Sequence, residues 1–502
     1  MAGSYVLSLD QGTSSSRALI VDKRGAVVAA AAREFPQIYP QPGWVEHDPE
    51  AIWASQLDAA RSAIAASGLD ADQIGAIGIA NQRETTLVWD RAGGAPLMNA
   101  IVWQCRRTAD RCAGLRAAGI EPLVRERTGL LLDAYFSGTK IAWILDHVAG
   151  ARRRAEAGEL AFGTVDTWLL HRLTDGRVHA TDRTNASRTL LYDLAGDCWD
   201  AELCGLLGVP RTMLPQIRPS AAVFGETEPS LFGRAIPICG VAGDQQAALF
   251  GQGCFAAGAT KNTYGTGCFV LRHTGDVVPA ATSGLIATAA VGATPAPAFA
   301  LEGSIFIAGA AVQWLRDGLR LIQSAGEIEA LAAGVADTDG VYFVPAFVGL
   351  GAPHWDPYAR GLIAGITRGT TAAHLARATL EAIAFQTREV LDLFGQAGYA
   401  ETAELRVDGG AADNDLLLQL QADLLGQPVV RPLVRETTAL GAAYLAGITA
   451  GIWRDAAETA ALWRAERRFE PAITPQERER RYAAWQRAVE RACGWTAPTE
   501  PA

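Results

Sequence analysis

Asp10 ends an apolar run, Tyr5–Leu9, and is followed within seven residues by Gly12, Thr13, Ser14, Ser15, Ser16 and Arg17 before the chain turns apolar again at Ala18–Val21. A glycine lets the backbone approach an anion, clustered hydroxyls and N–H groups donate to its oxygens, and arginine adds charge. The same residues also suit a plain hairpin turn, though such turns need only two to five residues and no such hydroxyl density. "YGTGCFVLRHTG", Tyr264–Gly275, has the same design, turning at Gly265-Thr266-Gly267 between two β-prone runs. A third piece, "VDGGAADN", places Gly409-Gly410 after a strand and Asn414 before a helix. Bare backbone there can lie against a flat base, although Gly-Gly after a strand is usually a turn. Other polar groups end other apolar runs: Arg83 and Glu84 follow Ile74–Ala80, and Asp244, Gln245 and Gln246 follow "IPICGVAG". Such a set suits a neutral polyhydroxyl molecule, because Arg donates to its oxygens, Glu and Gln accept from its hydroxyls, and an Asp takes a proton from one of them. The simpler alternatives are an exposed ion pair for Arg83-Glu84 and a helix N-cap for Asp244. Trp103, Tyr135 and Phe269 are the right size to pack on a carbon skeleton, and each is equally ordinary core.

Other chemistries lack their residues. None of the three lysines, Lys23, Lys140 and Lys261, follows a glycine, so a Walker A loop is absent, and there is no V-A-I-K, H-R-D or G-x-G-x-x-G sequence. If phosphate binds, hairpin loops must bind it. The seven histidines show no H-E-x-x-H spacing and there is no G-x-S-x-G elbow, which argues against a zinc site and a serine hydrolase. With 44 basic and 54 acidic residues the net charge is −10, which disfavours nucleic-acid binding and anionic membranes. Eight cysteines without a C-x-x-C pair read as scattered thiols in a reducing compartment. No signal peptide and no long apolar run are visible, so a cytoplasmic protein without membrane insertion is expected.

The elements that must position these groups alternate between strand-like and amphipathic helical runs, the pattern of an α/β fold. Asp48-Pro49 opens a helix, Ile74–Gln82 reads as a strand, Thr379–Phe394 as a helix, and "ELRVDGGAADNDLLLQLQADLLG" as strand, glycine turn and helix. Two hairpins of one design about half a chain apart predict two related domains, 1–252 and 253–502, facing each other across a cleft.

The motifs "LDQGTSSSR", "GWVEHDP", "NQRETT", "IVWQCRRT", "YFSGTKIAWILDHV", "FGTVDTWL", "TNASRT", "GVAGDQQAALFGQ", "KNTYGTGCF", "GAPHWDPYARG" and "VDGGAADN" together resemble the FGGY carbohydrate kinase family, in order, from about Tyr5 to Trp485. Within it they are more similar to members acting on glycerol than to those acting on xylulose, gluconate or ribulose. The resemblance implies two actin-like (ribonuclease H fold) domains flanking a catalytic cleft, ATP as cosubstrate, Mg²⁺ as metal, and glycerol phosphorylated to sn-glycerol 3-phosphate, the first step of glycerol catabolism. It implies glycerol contacts from Arg83, Glu84, Tyr135, Asp244 and Gln245, apolar walls from Trp103 and Phe269, Asp244 as general base and Asp10 as Mg²⁺ ligand. It assigns phosphate contacts to Thr13, Ser14, Ser15, Arg17 and Thr266, and the rest of the nucleotide to Gly309, Gln313, Gly410 and Asn414. A homodimer or homotetramer is the implied assembly. The segment "TEPSLFGRAIPI" departs from members with a longer glycine-rich effector loop or a phosphorylatable histidine, which puts both controls in doubt here. The alternatives are another polyol or sugar kinase of the family, or an actin-like or heat-shock-chaperone-like ATPase that uses the same fold to switch partners.

Overall fold

The computed structural model describes residues 3–280, 284–399 and 402–496. The first hairpin forms as expected: β1 (Tyr5–Gln11) and β2 (Ser15–Val21) pair antiparallel, with Asp10 opposite Arg17, and β3 (Val27–Glu34) extends the meander. β2 starts at Ser15, so the turn is shorter than the hydroxyl run suggests. α1 (Pro49–Ser67) follows, started by Asp48, whose side chain accepts from the Glu50 N–H, and ended by Gly68 at φ 68°. It lays Ile52, Ala59, Ala60 and Ala63 on the sheet. The chain returns through β4 (Ile74–Asn81), parallel to β1, and later through the edge pair β5 (Gly225–Glu226) and β6 (Pro237–Gly243), giving the order β5-β6-β4-β1-β2-β3. β1, β4 and β6 are apolar along nearly their whole length because helices cover both faces.

The second sheet repeats this plan. β7 (Thr260–Tyr264) and β8 (Cys268–Gly275) form the second hairpin, β9 (Ile286–Ala290) and β10 (Ala298–Ile305) continue antiparallel, and β11 (Leu405–Asp408) returns parallel to β7. β12 (Val429–Pro432) and β13 (Ala465–Phe469) complete the order β9-β10-β8-β7-β11-β12-β13. In both sheets an antiparallel meander lies to one side of a central strand and parallel strands to the other.

The helices that bear on the site are, in chain order, α2 (Ser137–His147), α3 (Asp244–Gly251), α4 (Gly309–Asp317), α5 (Ala372–Gln396), α6 (Asp415–Leu425), α7 (Thr437–Thr449) and α8 (Pro475–Ala492). α5 begins about two turns before Thr379, because Thr371 and His374 pair at its start and an alanine-rich stretch carries the helix. α7 is buried around nearly its whole circumference and rests on β4, β6 and α3. Small residues allow this. A Cβ on Gly441 would lie 1.8 Å from the Ala247 carbonyl oxygen, on Gly251 2.0 Å from that of Thr437, and on Gly78 2.1 Å from that of Ala442. Ser8 Oγ donates to the Ala439 carbonyl at 2.6 Å, so backbone meets the first sheet directly.

One buried carboxyl ties a sequence motif to pH. Asp166, in "FGTVDTWL", accepts from the hydroxyls of Thr164 and Thr181, and burial, with Asp182 adding to it, raises its pKa from 3.8 to about 7. A folded-state pKa raised above the unfolded value favours the neutral acid in the fold. Its stabilisation is full below 3.8 and lost as pH rises through about 7. Asp166→Asn is therefore expected to flatten that part of the stability profile, gaining on the parent chain at about pH 8 and not at about pH 4 in denaturant titrations.

Candidate active site

Three strands end together. Asp10 of β1 lies opposite Ala80 of β4, and Ala80 opposite Ala242 of β6, so the residues just beyond, Gln82-Arg83-Glu84 and Asp244, emerge at one edge of the sheet. Asp244 is the first residue of α3 and Gly243 its N-cap, so Asp244 is not the cap; its Oδ1 instead accepts from the Gln245 N–H at 2.7 Å. Glu84 has φ 59°, the left-handed region that a non-glycine residue enters at a cost. The turn is held by Thr85 N–H donating to the Arg83 carbonyl, and by the hydroxyls of Thr86 and Ser137, which donate to the Glu84 carbonyl at 2.9 and 3.0 Å.

The Arg83 and Glu84 side chains are each 2% exposed, which rules out a solvated surface pair. Arg83 Nε lies 3.3 Å from Asp244 Oδ1, and Nη2 donates to Tyr135 Oη at 3.4 Å. Three partners, Glu302, Arg188 and Lys261, escape a reading of spacing alone. Glu302 on β10 accepts from both Arg83 Nη1 and Nη2, at 2.6 and 3.1 Å, and Gln246 accepts from Nη1 at 3.2 Å. Arg188 donates to Glu84 at 2.6 Å and to Glu302 at 3.0 Å. Lys261 on β7 donates to Gln245 Oε1 and, at 2.7 Å, to Thr263 Oγ1. A lone charge within an otherwise apolar strand, as in "FALEGSIF", is the signal that marks Glu302.

Charge balance follows from these contacts. Burial works to raise the Glu302 pKa, but Arg188 and Arg83 hold it down at about 2. Burial lowers the Lys261 ammonium to about 8 against the pull of Asp408 and Asp244. Asp244 is raised by burial, with Arg83 and Lys261 opposing. Burial raises Asp10 to about 7, with Arg17 opposing and Asp244 and Glu436 adding to it. Among the described residues no group of three or more His, Cys, Asp or Glu side chains can hold a metal ion. Two neighbouring carboxylates, Asp10 and Asp244, instead fit an ion such as Mg²⁺ that draws most of its ligands from phosphate and water.

The aromatic residues meet here. Trp103 lies edge-on to Tyr135 and Phe269, at ring-centre distances of 5.5 and 6.2 Å, and its indole N–H donates to Thr13 Oγ1 at 2.9 Å. Phe269 comes from β8, so the two hairpin turns approach one another through Trp103. Buried Lys140 on α2 fastens the Tyr135 loop by donating to the carbonyls of Tyr135 and Phe136. In the first turn Gly12 N–H donates to the Ser15 carbonyl at 3.0 Å and Ser14 is exposed. Arg17, about half exposed, pairs with Glu436 at 2.9 Å across the cleft. A pair that exposed is exchanged for a phosphate at little cost.

Beyond the ends of β7 and β11 lies a cavity of about 410 Å³, whose walls include Thr266, Gly309, Gln313, Gly410 and Asn414. Arg316 and Glu329 line it as well, and no sequence motif marks them. The turn at Thr266 is braced by α4, where the Ala308 and Ala310 N–H groups donate to the Thr266 carbonyl at 2.8 and 3.1 Å. Asn414 caps α6, its Oδ1 accepting from the Leu417 N–H at 2.8 Å, which leaves the amide NH₂ to donate. Gly409 has φ 85°, and a Cβ there would lie 2.4 Å from the Tyr264 carbonyl oxygen; at Gly410 a Cβ would meet nothing within 4 Å.

The comparisons with known proteins agree with this geometry. The chain is 59% identical to "Glycerol kinase 2" of Thermotoga maritima over 98% of its length and 99% of that protein's. It is 58% identical to "Glycerol kinase" of Symbiobacterium thermophilum, with the same coverage of 98% and 99%. The crystal structure of Plasmodium falciparum glycerol kinase with ADP superposes with a TM-score of 0.89 at 36% identity, covering 97% of this chain and 98% of that one. Residues 5–251 match the N-terminal domain, and residues 260–450 the C-terminal domain, of one family. Two sheets of one plan, a buried arginine–carboxylate set where three strands end and a cavity beyond the strand ends of the second sheet are thus explained together: the chain belongs to the FGGY family of carbohydrate kinases.

Proposed function

We propose that this chain transfers the terminal phosphoryl group of ATP to a terminal hydroxyl of glycerol, giving sn-glycerol 3-phosphate. The observation that carries the reading is the buried Arg83–Glu84 pair with the partly exposed Asp244 beside it at adjoining strand ends, facing the aromatic wall of Trp103, Tyr135 and Phe269. The relatives named glycerol kinase, at 58 to 59% identity over nearly the whole chain, support glycerol as the polyol.

Asp244 accepts the proton of the attacking hydroxyl. Burial raises its pKa, which strengthens it as a base, while Arg83, Lys261 and the first turn of α3 oppose that rise. Arg83 donates to a substrate oxygen in place of its longest hydrogen bond, the 3.4 Å one to Tyr135, while Glu84 and Gln245 accept from hydroxyls. Thr13, Ser14, Ser15 and Arg17 on one side, and Thr266 on the other, hold the phosphates. Gly309, Gln313, Gly410 and Asn414 hold the nucleoside. Asp10 would hold Mg²⁺, which when bound neutralises charge on the transferring phosphoryl group. Closing the cleft excludes water, whose attack on ATP is the competing reaction.

The test is ADP release with and without glycerol. Release that rises with glycerol and saturates supports the reading, whereas release indifferent to polyol returns the chain to the actin-like ATPases. Comparing kcat/KM for glycerol, xylitol, dihydroxyacetone and glyceraldehyde separates glycerol from other polyols. Gly410→Val fills the open side of the nucleotide cavity and is expected to raise KM for ATP by roughly tenfold or more, with KM for glycerol little changed. No described helix is long and apolar enough to cross a membrane, and we place the chain in the cytoplasm as a homodimer or homotetramer, which light scattering checks.

A further inference from the structure

We propose that Glu302, on the second sheet, is a positioning residue for the polyol site on the first: it clamps Arg83 directly and Glu84 through Arg188. The inference rests on the reading that Arg83 and Glu84 bind the polyol, and adds that the opposite sheet sets their geometry.

Arg83 donates four hydrogen bonds through its Nη atoms, to Glu302 and Gln246 from Nη1 and to Glu302 and Tyr135 from Nη2, and its Nε lies in ion-pair contact with Asp244. Only Glu302 grips both Nη atoms, and this fork, at 2.6 and 3.1 Å, fixes the guanidinium plane. The contacts on the side of Asp244 and Tyr135 are looser, at 3.3 and 3.4 Å, so substrate meets an edge already aimed by Glu302. Glu302 Oε1 also accepts from Arg188 Nη2 and from Ser304 Oγ, each at 3.0 Å. Arg188 in turn reaches Glu84 Oε1 through Nε at 2.6 Å. Arg83, Arg188, Glu84 and Glu302 thus form a buried ring of two positive and two negative charges, none of these side chains more than 2% exposed.

The clamp is anchored rigidly. Glu302 lies on β10 with Leu271 of β8 opposite it on one side and Ile286 of β9 on the other, so both flanking ladders hold its backbone. Two residues on, Ser304 lies opposite Phe269, the aromatic wall. The second sheet therefore brings the clamp and the wall to the polyol as one piece, and displacing that sheet misaims Arg83 while the first sheet stays intact. Removing the clamp acts first on polyol binding and leaves the nucleotide cavity, lined by other residues, as it was.

Steady-state kinetics of the full chain test this, with glycerol and ATP varied in turn. Glu302→Gln keeps the shape but puts an NH₂ donor against the arginine fork. KM for glycerol is expected to rise about 30-fold or more, kcat to fall less than about fivefold, and KM for ATP to stay within about twofold. Ser304→Ala removes one hydroxyl donor to Glu302 and leaves every charge in place; KM for glycerol is expected to rise about threefold, with the same split. Ser304→Ala decides the matter should Glu302→Gln not fold. A purely structural role would lower the melting temperature and move both KM values together, or neither, and either result overturns the assignment. ADP release indifferent to glycerol in the parent chain overturns the functional reading and this inference with it; loss of the split in the variants alone overturns only the inference.

Discussion

Asp244→Asn is expected to lower kcat by about 10²–10⁴-fold, the range of a lost general base, with KM for glycerol changed only a few-fold. Asparagine has nearly the shape of aspartate, and its Oδ1 can still accept from the Gln245 N–H, 2.7 Å away in the parent, so α3 keeps its first turn. Arg83 stays neutralised by Glu302 and Glu84. What disappears is the carboxylate proposed to take a proton from the substrate hydroxyl. Steady-state kinetics at saturating ATP check it, and near-normal turnover would remove Asp244 from the role of base.

Gly441→Ala should be the most damaging single methyl group added to the molecule. The new Cβ would lie 1.8 Å from the Ala247 carbonyl oxygen, where backbone of α7 meets backbone of α3 and no flexible side chain can yield. The helices must part, and overpacking of this kind costs typically 1–3 kcal/mol and occasionally more; with two backbones in contact a loss of about 3 kcal/mol or more is expected. Activity should fall as well. α7 begins with Thr437, whose hydroxyl donates to Asp408, the residue before Gly409-Gly410, and Glu436 just ahead of it pairs with Arg17. Gly114, mid-helix with nothing within 4 Å of an added Cβ, is the control: Gly114→Ala should be neutral or stabilising by about 0.5–1 kcal/mol. Denaturant unfolding of the two variants distinguishes them, and equal stability would show that the α3–α7 contact is looser than its glycines imply.

Much of the site could be read along the chain because its parts are local. An apolar run, a glycine and hydroxyls define a hairpin turn within a dozen residues, and both turns formed where that pattern placed them. Asn414, read near the start of a helix, became its N-cap. Parallel strands end in register, so polar residues after Ala80 and after Ala242 meet once β4 and β6 are neighbours. The burial of Arg83-Glu84 could not be read, since an adjacent arginine and glutamate look the same on a surface and in a core. Burial came from β10, whose Glu302 lies 219 residues away from Arg83. α7 shows the same limit: its small, evenly apolar sequence carries no helical stripe, because it is covered on all sides by elements far away in the chain.

The amino-acid order by itself thus determined the two hairpin turns, the alternation of strand and helix, and which polar residues stand at strand ends, since these follow from backbone conformation and hydrophobic spacing over a few residues. Only the tertiary structure decided which of those residues are buried, which charges neutralise them, and how closely α7 approaches the first sheet. Those properties depend on groups brought together from opposite sheets, where low solvent access makes an unpaired charge costly and makes the identity of its distant partner decisive.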